Sequence, residues 1–113
     1  MYDTDSRTFL SALCHGAILF SGLIFSIVIP IIVLVLSSDS VVKDNARESV
    51  NFHINIWLYG IIIAALISVT FGSLSFLAGL WFIFHWMMTI WALFCVFSNP
   101  NEPFRYPFIL RVV

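Results

Sequence analysis

Charged residues are scarce in this chain, and three long stretches have none. Lys, Arg, Asp and Glu make up 10% of its 113 residues, against about 25% in soluble domains. The three uncharged stretches are 9–36, 50–70 and 74–97. Helices that are apolar all round cannot be covered by the few polar residues that remain. The scarcity of charge therefore excludes an ordinary soluble domain and predicts an integral membrane protein.

Other absences narrow the function. The two cysteines, Cys14 and Cys95, form no CxxC pair and both lie in apolar stretches, so we interpret them as buried apolar residues. The net charge of −1 gives no reason to expect a nucleic-acid partner. The sequence has no glycine-rich phosphate loop and no hydrolase or transferase motif. We therefore expect a protein that is not an enzyme and has no metal site.

The N-terminus does not have the basic segment of a cleavable signal peptide. Asp3 and Asp5 stand there instead, and the apolar stretch that follows is too long for a signal sequence. We expect the first apolar segment to insert the chain and residues 1–113 to form a single membrane domain.

The lengths of the apolar stretches predict how the chain crosses the bilayer. A helix needs about 20 residues to cross a core about 30 Å thick, so 50–70 and 74–97 each fit one span. The stretch 9–36 is too long for one upright span and too short for two. Pro30 interrupts it, which leaves either one kinked span or a short, re-entrant helical hairpin that turns near Ser21-Gly22.

The positions of the cationic residues favour the hairpin. Lys and Arg concentrate on the cytoplasmic side of a membrane. With a hairpin, all five of them share one face with both termini, whereas one kinked span would place Arg7 on the opposite face. We therefore predict an all-α integral membrane bundle with both termini cytoplasmic. Its parts are a helical hairpin over 9–36, an amphipathic helix leading into a transmembrane helix over 40–70, a second transmembrane helix over 74–97, and an interfacial tail over 98–113.

A polar stripe runs along the amphipathic helix into the membrane. Its members recur at steps of three or four residues, which places them on one helical face, and they are Asp44, Glu48, Asn51, Asn55 and Tyr59. In lipid such a stripe must face protein or water. It either forms hydrogen bonds inside the bundle or makes a contact surface for a substrate or partner protein.

The tail cannot be a regular helix, because three of the four prolines interrupt it. It combines aromatic with cationic residues, as segments in the headgroup layer do. We expect Arg105, Tyr106 and Arg111 to anchor the tail at the cytoplasmic interface. On that face Arg105 would pair with Glu48 or Asp44.

Three histidines are the remaining candidates for chemistry, since ionisable residues within a membrane are often functional. At 1.5 Å per residue, His53 lies about 6 Å, His15 about 12 Å and His85 about 18 Å below the cytoplasmic face. His53 and His85 are then too far apart to share a metal ion, whereas helix tilt could bring His15 and His85 together. We expect core histidines, with a haem or chlorophyll ligand at His85, together with His15, as the alternative.

The segment Asp44-Asn45-Ala46-Arg47-Glu48-Ser49-Val50-Asn51-Phe52-His53 resembles the signature of a widespread bacterial family of small membrane proteins of unknown function. That family is related to the twenty-kilodalton Tic subunit of the chloroplast inner-envelope translocon. Further features match in the same order, and they are Ala12-Leu13-Cys14-His15, Pro30 and Phe104-Arg105-Tyr106-Pro107. The resemblance implies a four-helix membrane fold with a short first hairpin and a role in protein import or complex assembly. It implies no catalytic residues.

Two functions of different classes remain open. The first is a non-enzymatic membrane subunit, that is, a scaffold, assembly factor or translocon-like component that binds other integral membrane proteins. The second is a subunit that holds haem or chlorophyll through a histidine. Conduction has the least support, because between Tyr59 and Thr70 the span offers only Ser68 as a polar side chain. The protein would lie in a bacterial plasma membrane, or in a thylakoid if the organism is photosynthetic.

Overall fold

The structure is a computed structural model that describes residues 4–17 and 24–113. Four α-helices follow one another along the chain, with a 3-10 turn at Ile24–Ile27 before the second: α1 (Thr4–Gly16), α2 (Val28–Leu36), α3 (Ser40–Val69) and α4 (Phe76–Ser98). No strand occurs in the described ranges. The prediction of an all-α bundle is confirmed, and α3 and α4 correspond to the two predicted transmembrane helices.

The described first two helices pack against each other, as the predicted hairpin requires. The Arg7 guanidinium near the start of α1 donates to Asp39 Oδ2 at 2.7 and 3.0 Å, just beyond the end of α2. It also donates to Asn101 Oδ1 at 2.8 Å, just beyond the end of α4. A single span over 9–36 would instead separate Arg7 from Asp39. We name this end of the bundle the base. The turn predicted near Ser21-Gly22 lies outside the described residues.

A buried carboxylate starts α3 at the base. Asp39 has an extended backbone, and its Oδ1 accepts the Val42 N–H at 3.0 Å, as an N-cap side chain does. Burial raises the pKa of the Asp39 carboxyl. The hydrogen bonds from Arg7 and Val42, together with the charge of Arg7, outweigh burial and hold that pKa below its ordinary value. The cap and the ion pair thus fasten the base ends of α1 and α3 together.

The two long helices have the length and the surface of transmembrane helices. They contain 30 and 23 residues, or about 45 and 35 Å. Only 22% of the most apolar 18-residue window of each helix is buried inside the protein. The core helix of a soluble protein would be mostly buried, so these apolar faces require lipid or another protein to cover them.

The short helices cover only the base half of α3. They contain 13 and 9 residues, or about 20 and 14 Å. The buried residues of α3 accordingly run from Val42 to Ile56. At the far end, Phe71 (φ 54°) and Gly72 (φ 87°) take left-handed backbone conformations, and the Gly72 N–H bonds to Ile67 O at 2.9 Å. Among residues 4–17 and 24–113, the far half therefore consists of an apolar pair of helices.

The buried core lies in the base half and has two parts. One joins the first three helices through Cys14, Val33, Val42 and Ala46. The other joins α3 and α4 to the C-terminal tail through Phe52, Ile56, Ala92, Phe104, Tyr106 and Ile109. Half of the second cluster belongs to the tail. The tail is therefore part of the core. The sequence had led us to expect a tail that lies along the membrane interface.

Candidate functional site

The tail, residues 99–113, folds back along α3 as an irregular hairpin. Near the base, the Phe104 N–H bonds to Asn45 Oδ1 at 3.0 Å. Further along the helix, the Tyr59 hydroxyl donates to Phe108 O at 2.6 Å. Asn45 and Tyr59 are 14 positions apart, or about 21 Å along the helix. The chain reverses at Phe108, whose φ of 61° lies in the left-handed region, and then returns towards the base.

Asn45 joins α1, α3 and the tail. Besides Phe104, its Oδ1 contacts His15 Nε2 at 2.7 Å, and its Nδ2 donates to Ser11 Oγ at 3.0 Å. His15 Nδ1 lies 2.6 Å from the Tyr106 hydroxyl. Because an amide oxygen only accepts, His15 carries its proton on Nε2, and Nδ1 accepts the proton of Tyr106. Every side chain of this network is buried.

Glu48 is a buried carboxylate that binds the tail through both oxygens. Oε1 accepts the Tyr106 N–H at 2.8 Å and Arg111 Nη2 at 3.0 Å, while Oε2 accepts Arg111 Nε at 2.8 Å. Arg111 Nη2 also donates to Tyr106 O at 2.7 Å. The Tyr106 ring stacks on Phe52 with centroids 4.0 Å apart. The bidentate pair neutralises a carboxylate that would otherwise be costly to bury.

Two asparagines further along α3 bind the returning part of the tail. Asn55 Nδ2 donates to Leu110 O at 2.7 Å, and Asn55 Oδ1 accepts the Leu110 N–H at 2.9 Å. One side-chain amide therefore pairs with both backbone groups of one residue. Asn51 Oδ1 accepts the N–H groups of Val112 and Val113 at 2.8 and 2.9 Å. Both asparagines are 1% exposed.

The chemistry of the bilayer explains this arrangement. Where water is absent, each backbone N–H and C=O outside a helix needs a partner in the protein. The stripe side chains and Asn45 accept five tail N–H groups, those of Phe104, Tyr106, Leu110, Val112 and Val113. If these positions of α3 carried apolar side chains, the five N–H groups would have no hydrogen-bond partners there. The polar stripe is therefore a template for the backbone of the tail.

The structure places the predicted stripe residues in two environments. Glu48, Asn51, Asn55 and Tyr59 bind the protein's own tail, which agrees with the interpretation of hydrogen bonding inside the bundle. Asp44 is exposed, and its Oδ1 accepts a hydrogen bond from Arg47 at 3.2 Å. A partner-binding role of the stripe stays a prediction, for which Asp44 is the exposed member.

The predicted anchor residues of the tail are divided in the same way. Arg111, not Arg105, pairs with Glu48, and Arg105 forms no ion pair with any residue in the described ranges. Tyr106, which we expected among the headgroups, is 1% exposed. The reason is that exposure alternates along this part of the tail, so that every second side chain is buried in the core. Phe104 and Tyr106 face α3, and Arg105 between them faces outwards.

His53 and His85 lie closer in depth than the sequence suggested. The rings of His85 and Phe52 are 6.2 Å apart, so His85 lies level with the turn that contains His53. The predicted difference of about 12 Å between His53 and His85 is therefore wrong. That prediction measured the depth of each residue along its own helix from an assumed membrane boundary, and it did not take the offset between α3 and α4 into account. Both ring nitrogens of His15 are engaged.

His53 has an unusual hydrogen-bonding state. Its Nδ1 donates to Ser49 O at 2.7 Å, so Nε2 presents a lone pair. Nε2 has no hydrogen-bond partner among residues 4–17 and 24–113, and the residue is fully buried. Within those same ranges, no group of three or more His, Cys, Asp or Glu residues is placed to hold a metal ion.

Together these features define a small all-α integral membrane protein whose irregular tail is held by side chains of a transmembrane helix. Residues 6–113 match the MamF/MmsF family, described as the magnetosome magnetite crystal formation protein family. The chain belongs to that family. No curated protein and no solved structure matches it. The expectation of a family of small membrane proteins is confirmed, whereas the comparisons give no support for a relationship to the Tic translocon subunit.

Proposed function

We propose that the chain is a non-enzymatic subunit of the magnetosome membrane that acts in magnetite crystal formation by binding other integral membrane proteins. The observation that carries this proposal is the family match over residues 6–113. The structure supports a binding role over catalysis. The buried polar side chains Asn45, Glu48, Asn51 and Asn55 are engaged in holding the tail, and a group bonded in this way is not available to a substrate.

The surface offered to a partner is the apolar half of α3 and α4. In a bilayer, lipid tails cover an apolar surface as favourably as the leucine side chains of another helix do. Specific association of helices therefore depends on close packing at small residues. Gly79 of α4 has an exposed face, with no atom within 4 Å of the position that a Cβ would occupy. A partner helix could approach the backbone of α4 closely there. We therefore place the contact with a membrane partner around Gly79.

The test is complementation in a magnetosome-forming bacterium from which this gene has been deleted. Crystal dimensions would be measured by electron microscopy for the wild type, Gly79→Leu and Gly72→Leu, and solubilised complexes would be compared by affinity purification. We expect Gly79→Leu to lose both the co-purified membrane proteins and normal crystal size. Gly72 is strained when substituted, so a fold defect alone would appear in Gly72→Leu as a lower thermal midpoint. Unchanged crystals in the deletion strain would contradict the proposal.

The alternative function is a cofactor-bearing subunit with His85 as the ligand to haem or chlorophyll. His85 is 5% exposed and packs between the rings of Phe52 and Trp81, with centroids 6.2 and 6.0 Å away. His15 does not fit as the second ligand, because its two nitrogens are bonded to Tyr106 and Asn45. The test is a visible spectrum of protein solubilised gently from its native host. A stoichiometric Soret or chlorophyll band that disappears in His85→Ala would support this function, and a blank spectrum would refute it.

A further inference from the structure

A polar cavity of about 270 Å³ lies at the base, between the first turns of α3 and the tail. Three arginines line it, Arg47 from the helix and Arg105 and Arg111 from the tail. Two carboxylates, Asp44 and Glu48, line it as well. The side chains around the cavity therefore carry three positive and two negative charges.

The three guanidinium groups differ in how strongly they are already bonded within the protein. Arg111 is held by both oxygens of Glu48, and that pair also fixes the tail. Arg47 makes one hydrogen bond of 3.2 Å to Asp44, with both side chains about half exposed. Such an exposed pair contributes little and rearranges easily. Arg105 is exposed and has no ion-pair partner in the described part of the chain. Two guanidinium groups are thus free to turn towards a ligand, and a third is fixed beside them.

The chemistry of the cavity selects an oxyanion. Guanidinium groups bind phosphate oxygens through two parallel N–H donors, and they are less strongly hydrated than ammonium groups. The cavity also lies at the base, where α4 ends at Ser98 and where the tail leaves it. In a chain that spans the membrane, this is the depth of the headgroups, where a cation near an anionic surface contributes about 1 kcal/mol.

We propose that this cavity binds a phosphate group, and its position at the end of the transmembrane helices favours the phosphodiester of an anionic lipid as the source. Arg105 and Arg47 would clasp the phosphate, with Arg111 completing the positive wall. This site is independent of any part that the protein plays in crystal formation.

The experiment compares purified full-length protein in nanodiscs of phosphatidylcholine alone and with increasing phosphatidylglycerol, using thermal unfolding to measure binding. A separate arm adds inorganic phosphate to the phosphatidylcholine nanodiscs, against chloride at equal ionic strength. The variant is Arg105→Gln, and the matched control is Lys43→Gln, a cation at the same end that does not line the cavity. Circular dichroism checks that both variants fold.

We expect Arg105→Gln to weaken binding about tenfold, since a charge-assisted hydrogen bond contributes at least this much, and Lys43→Gln to change it less than twofold. Stabilisation by phosphatidylglycerol identifies a lipid site, and stabilisation by inorganic phosphate alone identifies a free anion as the ligand. Either result supports the phosphate site if Arg105→Gln weakens that binding about tenfold. Equal losses in Arg105→Gln and Lys43→Gln would show only diffuse attraction and overturn the proposal, as would the absence of any stabilisation.

Discussion

Replacing Asn55 with leucine should release the tail from α3. The substitution removes the partner of both the N–H and the C=O of Leu110, which lie 2.9 and 2.7 Å from the amide. A backbone group left without a partner costs about 1–3 kcal/mol, so two groups cost about 2–6 kcal/mol. Leu110 is 64% exposed, so its segment can shift and partly satisfy these groups elsewhere, and we take the lower part of this range, about 2–4 kcal/mol.

The assay is amide hydrogen exchange of residues 104–113, followed by mass spectrometry of the protein in nanodiscs. Each 1.4 kcal/mol corresponds to a factor of ten in the opening equilibrium, so protection of the tail should fall by roughly 30-fold to 1000-fold. Peptides from the middle of α4 should keep their protection, because the tail opens without unfolding the helices. Asn55→Ala removes the amide without adding bulk and should give the same pattern.

The matched control is Ser68→Leu, which exchanges a polar residue for leucine on the same helix. Ser68 is exposed, and its hydroxyl donates to Ala64 O within α3, so protection of the tail should not change. If the tail keeps its wild-type protection in Asn55→Leu, the amide pair does not hold the tail, and our account of the polar stripe is refuted.

Three further predictions concern the helix ends and packing. Asp39→Asn should lower the thermal midpoint at pH 7, because the depressed carboxyl pKa gives stability that is fully present above the unfolded value near 3.9. The difference from the wild type should shrink as the pH falls below that value and Asp39 is protonated; a difference that stays constant on acidification would contradict this. Gly79→Ala, with open space around it, should raise stability by about 0.5–1 kcal/mol, the usual gain of alanine over glycine inside a helix. Gly60→Ala should gain less than this, because its Cβ would lie 3.3 Å from the Trp81 indole, which must then move; equal gains in thermal unfolding would contradict this. Phe71→Gly should raise stability by about 0.5–1 kcal/mol. Glycine removes left-handed backbone strain of about 1–2 kcal/mol but increases the entropy of the unfolded chain, and little packing is lost because the Phe71 side chain is 99% exposed. A lower midpoint in thermal unfolding would refute this.

Much of the fold could be predicted from the sequence, because lipid restricts the choices. The length of 74–97 fits a single transmembrane helix, and the structure has α4 over Phe76–Ser98. The length of 9–36 and Pro30 left two alternatives, of which the positions of the cationic residues favoured the hairpin, and the ion pair between Arg7 and Asp39 supports it. Both successes rest on burial of charge and on helix length, which a sequence shows directly.

The path of the tail could not be predicted with the same arguments. The sequence showed both partners of the interaction, namely a polar stripe on a membrane helix and an irregular segment rich in proline. Nothing in the sequence indicated that these two segments bind each other. Asn45 was overlooked because it lies one position after Asp44, off the stripe, although it bonds to α1 and the tail. The choice of Arg111 over Arg105 depends on which side chains the folded tail turns towards Glu48, and composition does not contain that information.

The short helices α1 and α2 also affect the lipid around the protein. In the described part of the chain, four helices and the tail fill the base half, and only α3 and α4 continue beyond it. The protein therefore occupies a larger area in one leaflet than in the other. An inclusion of this shape packs with least strain in a bilayer bent so that its base leaflet lies on the convex side. We therefore expect the molecule to concentrate in vesicle-sized membranes over flat ones, in the orientation that places its polar base on the convex face.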